Sequence, residues 1–185
     1  MQEPVVMTTC EILKFKSQYN IWMNHQLYEI CTELTDSQRK RDLGAFFKSI
    51  HGTFNHIYLV DTLWLSRCND SVLRVGKSLG DEVFSDFETL HLAHTALSQQ
   101  LSQFVEGLSE SDLDESVTYN SMQSGKQKSL PLGLLLFHLF NHQTHHRGQL
   151  TAMISQYVDD FGSTDMIFMP LAEVFFKTPV EEFTL

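Results

Sequence analysis

Apolar residues recur every three or four positions in four long stretches of the chain, which is the period of helices that bury one face. Thr8 or Thr9 can cap the first stretch, and Pro131 suits the start of the last because its missing N–H is not needed in a first turn. The pattern therefore predicts four long helices. They span about residues 8–34, 43–67, 85–108 and 131–157.

The segment between the third and fourth helices has a different period. Residues 116–120 alternate as a strand does, and Gly125 follows in a polar turn, so we predict a short hairpin before the last long helix. Residues 164–176 can hold a short terminal helix. Four long amphipathic helices with one long crossover connection predict an all-α helical bundle, with residues 1–185 forming a single domain.

Composition narrows the choice of partners. The formal net charge is −10, with 13 basic and 23 acidic residues and no basic run, so we expect neither nucleic acid nor a membrane surface as a partner. No signal peptide or membrane-length apolar run is recognised, and the three widely spaced cysteines indicate no disulfide framework. The chain is expected to be cytoplasmic.

Two histidines occupy the apolar seam of the fourth helix. His142 and His146 follow Leu135 and Leu139 at steps of four, three and four, where a bundle core favours leucine. Residues at i and i+4 lie one above the other, so both imidazoles can turn toward one ion. The alternative is a pair of hydrogen-bonded core histidines without a metal.

A metal site needs a third ligand, and the candidates are His51, His56 and His138. His51 and His56 point in directions about 140° apart on a helix, so they cannot easily share an ion. His56 precedes Val60 by one turn and can face inward, which makes it the better candidate. Three histidines plus water leave an open position, as in catalytic zinc sites. No zinc-protease motif is present, and the two Glu-x-x-His motifs of di-iron bundles are not found, since only Glu88 and His91 have that spacing.

Three stretches of the sequence form a recognisable set: residues 19–24 (YNIWMN), residues 49–56 (SIHGTFNH) continuing to Asp61 and Trp64, and residues 141–149 (NHQTHHRGQ). Together they resemble the DinB family of metal-dependent bundle proteins in the DinB/YfiT superfamily. The resemblance implies an up-down-down-up four-helix bundle, a homodimer, and a nickel or zinc ion held by His56, His142 and His146. Some members of the superfamily resemble transferases or isomerases that use low-molecular-weight thiols, which implies a small-molecule substrate and a thiol cofactor.

Other polar residues are candidates for supporting roles. Asp61 interrupts the apolar stripe of the second helix and can accept a hydrogen bond from a ligand histidine or from Arg147. Arg147 can orient a substrate or tie its helix to a neighbour. His25, His91 and His94 are expected at the surface or on helix flanks.

Three hypotheses about function follow. The first is a metal-dependent enzyme, a thiol transferase or small hydrolase, whose open position takes water or a thiol. The second is a metal-binding or stress-response protein without turnover. The third is a bundle whose histidines are purely structural.

Overall fold

A computed structural model describes residues 6–71, 78–122 and 124–170, and the described part of the chain is mostly helical. Five α-helices and two β-strands are numbered separately in chain order. The elements are α1 (Thr9–Thr32), α2 (Asp36–Lys40), α3 (Ile50–Cys68), α4 (Phe87–Glu106), β1 (Ser116–Asn120), β2 (Gln127–Pro131) and α5 (Leu132–Ile154). Short 3₁₀ turns lie at Asp112–Asp114 and Met166–Phe168.

Side-chain caps decide where the long helices begin. Thr8 and Glu11 form a capping box at α1, which confirms the predicted start of the first helix. The second long helix starts later than predicted, because Ser49 caps α3 by accepting the N–H of Gly52. Residues 43–48 therefore form an irregular turn, in which Lys48 has a φ of 67°.

The four long helices pack around a shared core. α1 contacts α4 and α5, and α3 contacts the same two helices. The beginnings of α1 and α5 lie with the ends of α3 and α4 in one apolar cluster, which includes Leu13, Trp64, Leu101 and Leu136. The opposite ends of the same helices form a second apolar cluster around Tyr28, Phe54, Phe87 and Met153.

Buried polar side chains lie on all four long helices in the interior. Each is less than 5% exposed, and together we call them the polar layer: Asn20, Asn24, Asp61, His94, Ser98, Gln143 and Arg147. Their burial requires hydrogen-bond partners across helices, so this layer fixes how the helices face one another.

The predicted hairpin is confirmed. β1 pairs antiparallel with β2, from Ser116 opposite Pro131 to Asn120 opposite Gln127. Tyr119 packs edge-on against Trp64 of α3 at 5.2 Å, so the hairpin rests on the end of that helix. The fold is therefore mostly helical with a small sheet, so the predicted all-α class holds for the helices, and the hairpin predicted beside them makes the fold not purely α.

The end of the described chain holds less helix than predicted. Only the 3₁₀ turn Met166–Phe168 forms between residues 164 and 170, and the rest of the predicted terminal helix, from residue 171, lies outside the described residues. Within the described ranges, no helix has both the length and the hydropathy needed to cross a bilayer.

Candidate metal centre

Three imidazoles from two helices meet at one point between α3 and α5. The Nε2 atom of His56 lies 3.3 Å from that of His142 and 3.1 Å from that of His146. The Nε2 atoms of His142 and His146 are 3.0 Å apart. We call these three residues the histidine triad, and their nitrogens could hold a metal ion.

The size of the histidine triad suits a small divalent ion. Zinc binds imidazole nitrogen at ~2.0–2.1 Å, so nitrogens around a tetrahedral ion stand about 3.3–3.4 Å apart. The three Nε2 separations of 3.0–3.3 Å are slightly shorter than this. Small side-chain rotations would bring them to the ideal spacing.

Hydrogen bonds fix the protonation of two of the rings. Nδ1 of His56 donates to the carbonyl of Leu79 at 2.7 Å, and Nδ1 of His146 donates to Oε1 of Gln149 at 2.9 Å. In a neutral ring the second nitrogen is then a bare acceptor. The Nε2 lone pairs of His56 and His146 therefore face each other, and His142 can donate its one Nε2–H to only one of them.

Burial keeps these imidazoles uncharged at neutral pH. Burial and the neighbouring His146 ring lower the pKa of His142 to about 3. Burial, together with the His56 ring, lowers the pKa of His146 to about 4, against a hydrogen bond to Gln149 that raises it. Burial also lowers the pKa of His56. Neutral imidazole is the form that binds metal.

Phe47 covers one side of the histidine triad. Its ring stacks on that of His56, with centroids 3.7 Å apart and planes at 16°, and it meets His146 edge-on at 5.5 Å. His142 is the half-buried member of the three, whereas His56 and His146 are buried. Of the three residues, His142 therefore has the largest exposed fraction.

The segment before α4, which supplies the Leu79 carbonyl to His56, is anchored to α3 by two side chains. Oδ1 of Asn55 accepts the backbone N–H groups of Val83 and Phe84, at 2.8 and 2.9 Å. His51 donates from Nε2 to the carbonyl of Phe84 at 2.8 Å. His51 thus faces this connection and has a role different from that of His56.

Asp61 lies beside the histidine triad, but its hydrogen-bond partners differ from those predicted. Its Oδ2 accepts Nε2–H of Gln143 at 2.9 Å and faces Nε2 of His94 at 3.3 Å. The carboxylate charge acts through space on His56 and His146, where it raises the pKa of each ring in part. Asp61 therefore favours positive charge at the triad without touching it.

Arg147 ties α5 to α1. Its guanidinium donates to Oδ1 of Asn20 and to Oδ1 of Asn24, and it lies over the ring of Tyr19 at 5.1 Å. Burial lowers the pKa of Arg147. Of its two expected roles, the contacts match the one that holds its helix to a neighbour.

The remaining histidines of α5 stand apart from the triad. His138 is exposed and packs edge-on against Trp64 at 5.2 Å, and its ring centroid is 6.2 Å from that of His142. His145 is exposed and accepts a hydrogen bond from Nε2 of Gln149.

Sequence reasoning did not place His94 or Gln143 in the interior, although both belong to the polar layer. His94 was expected at the surface or on a helix flank, yet it is 0% exposed, and Gln143 is 0% exposed as well. His94 falls on the apolar stripe of its helix with Leu90, Leu97 and Leu101, and this spacing was the available signal. Gln143 has no such signal, because it lies one position beyond the seam of α5.

A mostly helical fold with a triad of convergent, neutral imidazoles in its interior defines a class of candidate metal-binding proteins. The model of the DinB family matches residues 10–171, and the chain belongs to this family. Protein DinB of Bacillus subtilis (strain 168) is 26% identical over 144 residues, which cover 75% of this chain and 82% of that protein. The crystal structure of a DinB-like protein from Bacillus cereus ATCC 10987 matches with a TM-score of 0.55 and 18% identity. The match covers 73% of this chain and 85% of that one, and this likeness is one of fold alone.

Proposed function

We propose that this chain binds one divalent metal ion through His56, His142 and His146, and that it is a metal-dependent enzyme of the thiol-transferase or small-hydrolase type. The main support for metal binding is that the three Nε2 atoms lie within 3.3 Å of one another. At least two of these Nε2 atoms carry no proton, and their lone pairs repel each other unless a cation lies between them. Asp61 supplies a buried negative charge nearby.

Nickel and zinc are the proposed ions, because neutral imidazole suits both. A bound ion would stabilise a hydroxide or a thiolate at neutral pH, which is the chemistry that hydrolysis and thiol transfer share. The residues of the chain hold the site: Leu79 and Gln149 orient two ligands, and Phe47 keeps water from the face of His56. The half-buried side at His142 is the proposed entrance for a thiol and a small-molecule substrate.

Metal analysis of the purified protein tests the binding proposal. A chain freed of any histidine tag, purified without chelator and loaded with zinc or nickel, should retain about one ion after gel filtration, as a three-histidine site predicts. His142→Ala and His146→Ala should each remove most of the metal, while His138→Ala should not. A wild-type chain that retains no ion, or a His146→Ala chain that retains it fully, would refute the proposal.

A non-catalytic metal-binding or stress-response role is the second candidate. It is favoured by the position of Asp61, whose described hydrogen bonds go to Gln143 and His94, so that it is not aimed at the triad as a general base. A screen of thiols against electrophiles, with loaded wild type and His142→Ala side by side, separates the two candidates. Metal-dependent thiol consumption that His142→Ala abolishes supports the enzyme, and no consumption with metal bound excludes thiol transfer and leaves hydrolysis or the second role.

Topology, assembly and location complete the proposal. The beginnings of α1 and α5 lie together with the ends of α3 and α4, and this arrangement supports an up-down-down-up four-helix bundle. Exposed Leu134 and Phe137 on α5 support a homodimer contact. Light scattering should then give twice the chain mass of 21.3 kDa. A cytoplasmic location is proposed from the sequence composition.

A further inference from the structure

A second group of metal-ligating side chains lies at the surface between α1 and α4. His25 and Glu29 stand one turn apart on α1, and His91 faces them from α4. One possible ligand atom of each side chain lies within 4.8 Å of one such atom on each of the other two. We call these residues the surface cluster. None of them belongs to the histidine triad or to the polar layer.

We propose that the surface cluster is a second divalent-cation site, for a borderline ion of the zinc class. The donor set consists of two imidazoles and one carboxylate. Such a set binds zinc, nickel or copper better than it binds magnesium or calcium, which favour oxygen ligands. The i, i+4 spacing turns His25 and Glu29 toward the same side of α1, and Nδ1 of His25 is already 3.8 Å from Oε1 of Glu29.

His91 is the preorganised member of this cluster. Its ring stacks on that of Tyr28, with centroids 4.5 Å apart and planes only 5° from parallel. Tyr28 is 1% exposed, and its hydroxyl is hydrogen-bonded to Nδ1 of His94 at 3.0 Å. The buried interior thus holds the plane of the His91 ring, and less freedom remains to be lost when an ion binds.

His25 and Glu29 supply the adjustment that the site needs. Ligand atoms around an ion at ~2.1 Å stand about 3.0–3.4 Å apart. The three ligand atoms of the surface cluster, which lie within 4.8 Å of one another, must therefore move closer together when an ion binds. The side chains of His25 and Glu29 are 67% and 57% exposed, and they have room to rotate inward. The net charge of −10 also favours a cation at the surface.

This site should bind more weakly than the histidine triad. The Nδ1–H groups of His56 and His146 donate to the oxygens of Leu79 and Gln149, whereas no such hydrogen bond is present for His25 or His91 among the described residues. Loss of such supporting bonds typically weakens metal affinity by about 10–100-fold. Two classes of site with affinities separated by about that factor are therefore expected.

Zinc titration of the tag-free, full-length chain tests the proposal, with calorimetry as the readout. Wild type should show a tight and a weak class. His91→Phe keeps the stacked ring but removes both nitrogens, so it should abolish the weak class and leave the tight one intact. Glu29→Gln should weaken the same class at least several-fold. The matched control is His138→Phe, which changes an exposed histidine outside both sites.

The outcomes separate this proposal from that of the triad. If the triad fails to bind, the weak class should still appear in wild type and vanish in His91→Phe. Absence of a weak class in wild type overturns the surface site. So does its persistence in His91→Phe, or an equal loss in His138→Phe, which would indicate unspecific binding to surface histidines.

Discussion

His94 is an ionisable side chain placed where the core would otherwise be apolar. Its Nε2 faces Oδ2 of Asp61, and its Nδ1 faces the hydroxyl of Tyr28. Both contacts are satisfied when Nε2–H donates to the carboxylate and the tyrosine hydroxyl donates to Nδ1. One imidazole thereby connects α4 with α1 and α3.

Replacing this ring tests the importance of the polar layer. His94→Ala should lower the free energy of unfolding by about 2–4 kcal/mol, because it leaves a cavity and takes a partner from a buried carboxylate. Urea unfolding in the presence of chelator measures the change. His145→Ala removes an exposed imidazole and should stay within about 0.5 kcal/mol of wild type. Equal effects of the two substitutions would contradict this role of His94.

The meeting of the triad nitrogens could be predicted from residue spacing, but their orientation could not. Helical periodicity placed His142 and His146 on one seam and turned His56 inward. The carbonyl of Leu79 that fixes the His56 ring is a backbone atom in an irregular connection. No side-chain pattern reports where such an atom lies, and therefore the protonation of His56 emerged only from the fold.

At the scale of elements, the turn before α3 shows how a glycine permits a close approach. A Cβ added at Gly52 would lie 2.4 Å from the carbonyl oxygen of Phe47, which real Cβ atoms do not tolerate. The missing side chain lets residues 43–48 fold back on α3 and bring Phe47 onto His56. The second long helix was predicted correctly except for its start near residue 43, because apolar spacing continues through this turn, while the cap at Ser49 starts the helix later.

Gly52→Ala should therefore disturb both stability and the triad. Displacement of the turn should cost about 1–3 kcal/mol, as overpacking does, and should weaken metal binding because Phe47 leaves the His56 ring. Thermal unfolding and zinc titration measure the two effects. Gly148→Ala is the matched control in α5, where an added Cβ meets nothing within 4 Å. It should be neutral or up to about 1 kcal/mol stabilising, because alanine is the better helix former. A Gly52→Ala chain as stable as the control would refute the close approach.

For the molecule as a whole, the four long helices could be predicted because each repeats its apolar residues over several turns. Their mutual arrangement depends on contacts between residues far apart in the chain, such as Asn20 with Arg147, and these leave no periodic signal. The hairpin was predicted from the change of period before α5, and its register came from the structure.

The buried imidazoles make the metal-free protein sensitive to acid. The pKa values of His142 and His146 fall from 6.5 to about 3 and about 4 on folding. Below pH ~6.5 the unfolded chain therefore binds protons that the folded chain excludes, and stability falls until the folded pKa values are reached. Between pH 7 and 5 the loss should be on the order of 2 kcal/mol for each of the two histidines, less whatever solvent screening removes. Urea unfolding with chelator at both pH values measures it.

A double variant, His142→Gln with His146→Gln, isolates this effect. Its stability should change much less between pH 7 and 5, because glutamine does not titrate. If the variant and wild type lose the same stability, other groups cause the acid sensitivity.

The two helices that carry the triad lie far apart in the sequence, and this has a consequence during protein synthesis. His56 precedes its triad partners by 86 and 90 residues. At ~5–20 residues per second, the ribosome adds α5 roughly 4–18 seconds after His56. Throughout that interval the growing chain has α3 without the helix that completes the triad. Uptake of an ion by all three imidazoles must therefore wait until synthesis has passed His146, and a chain that stops before α5 lacks both His142 and His146.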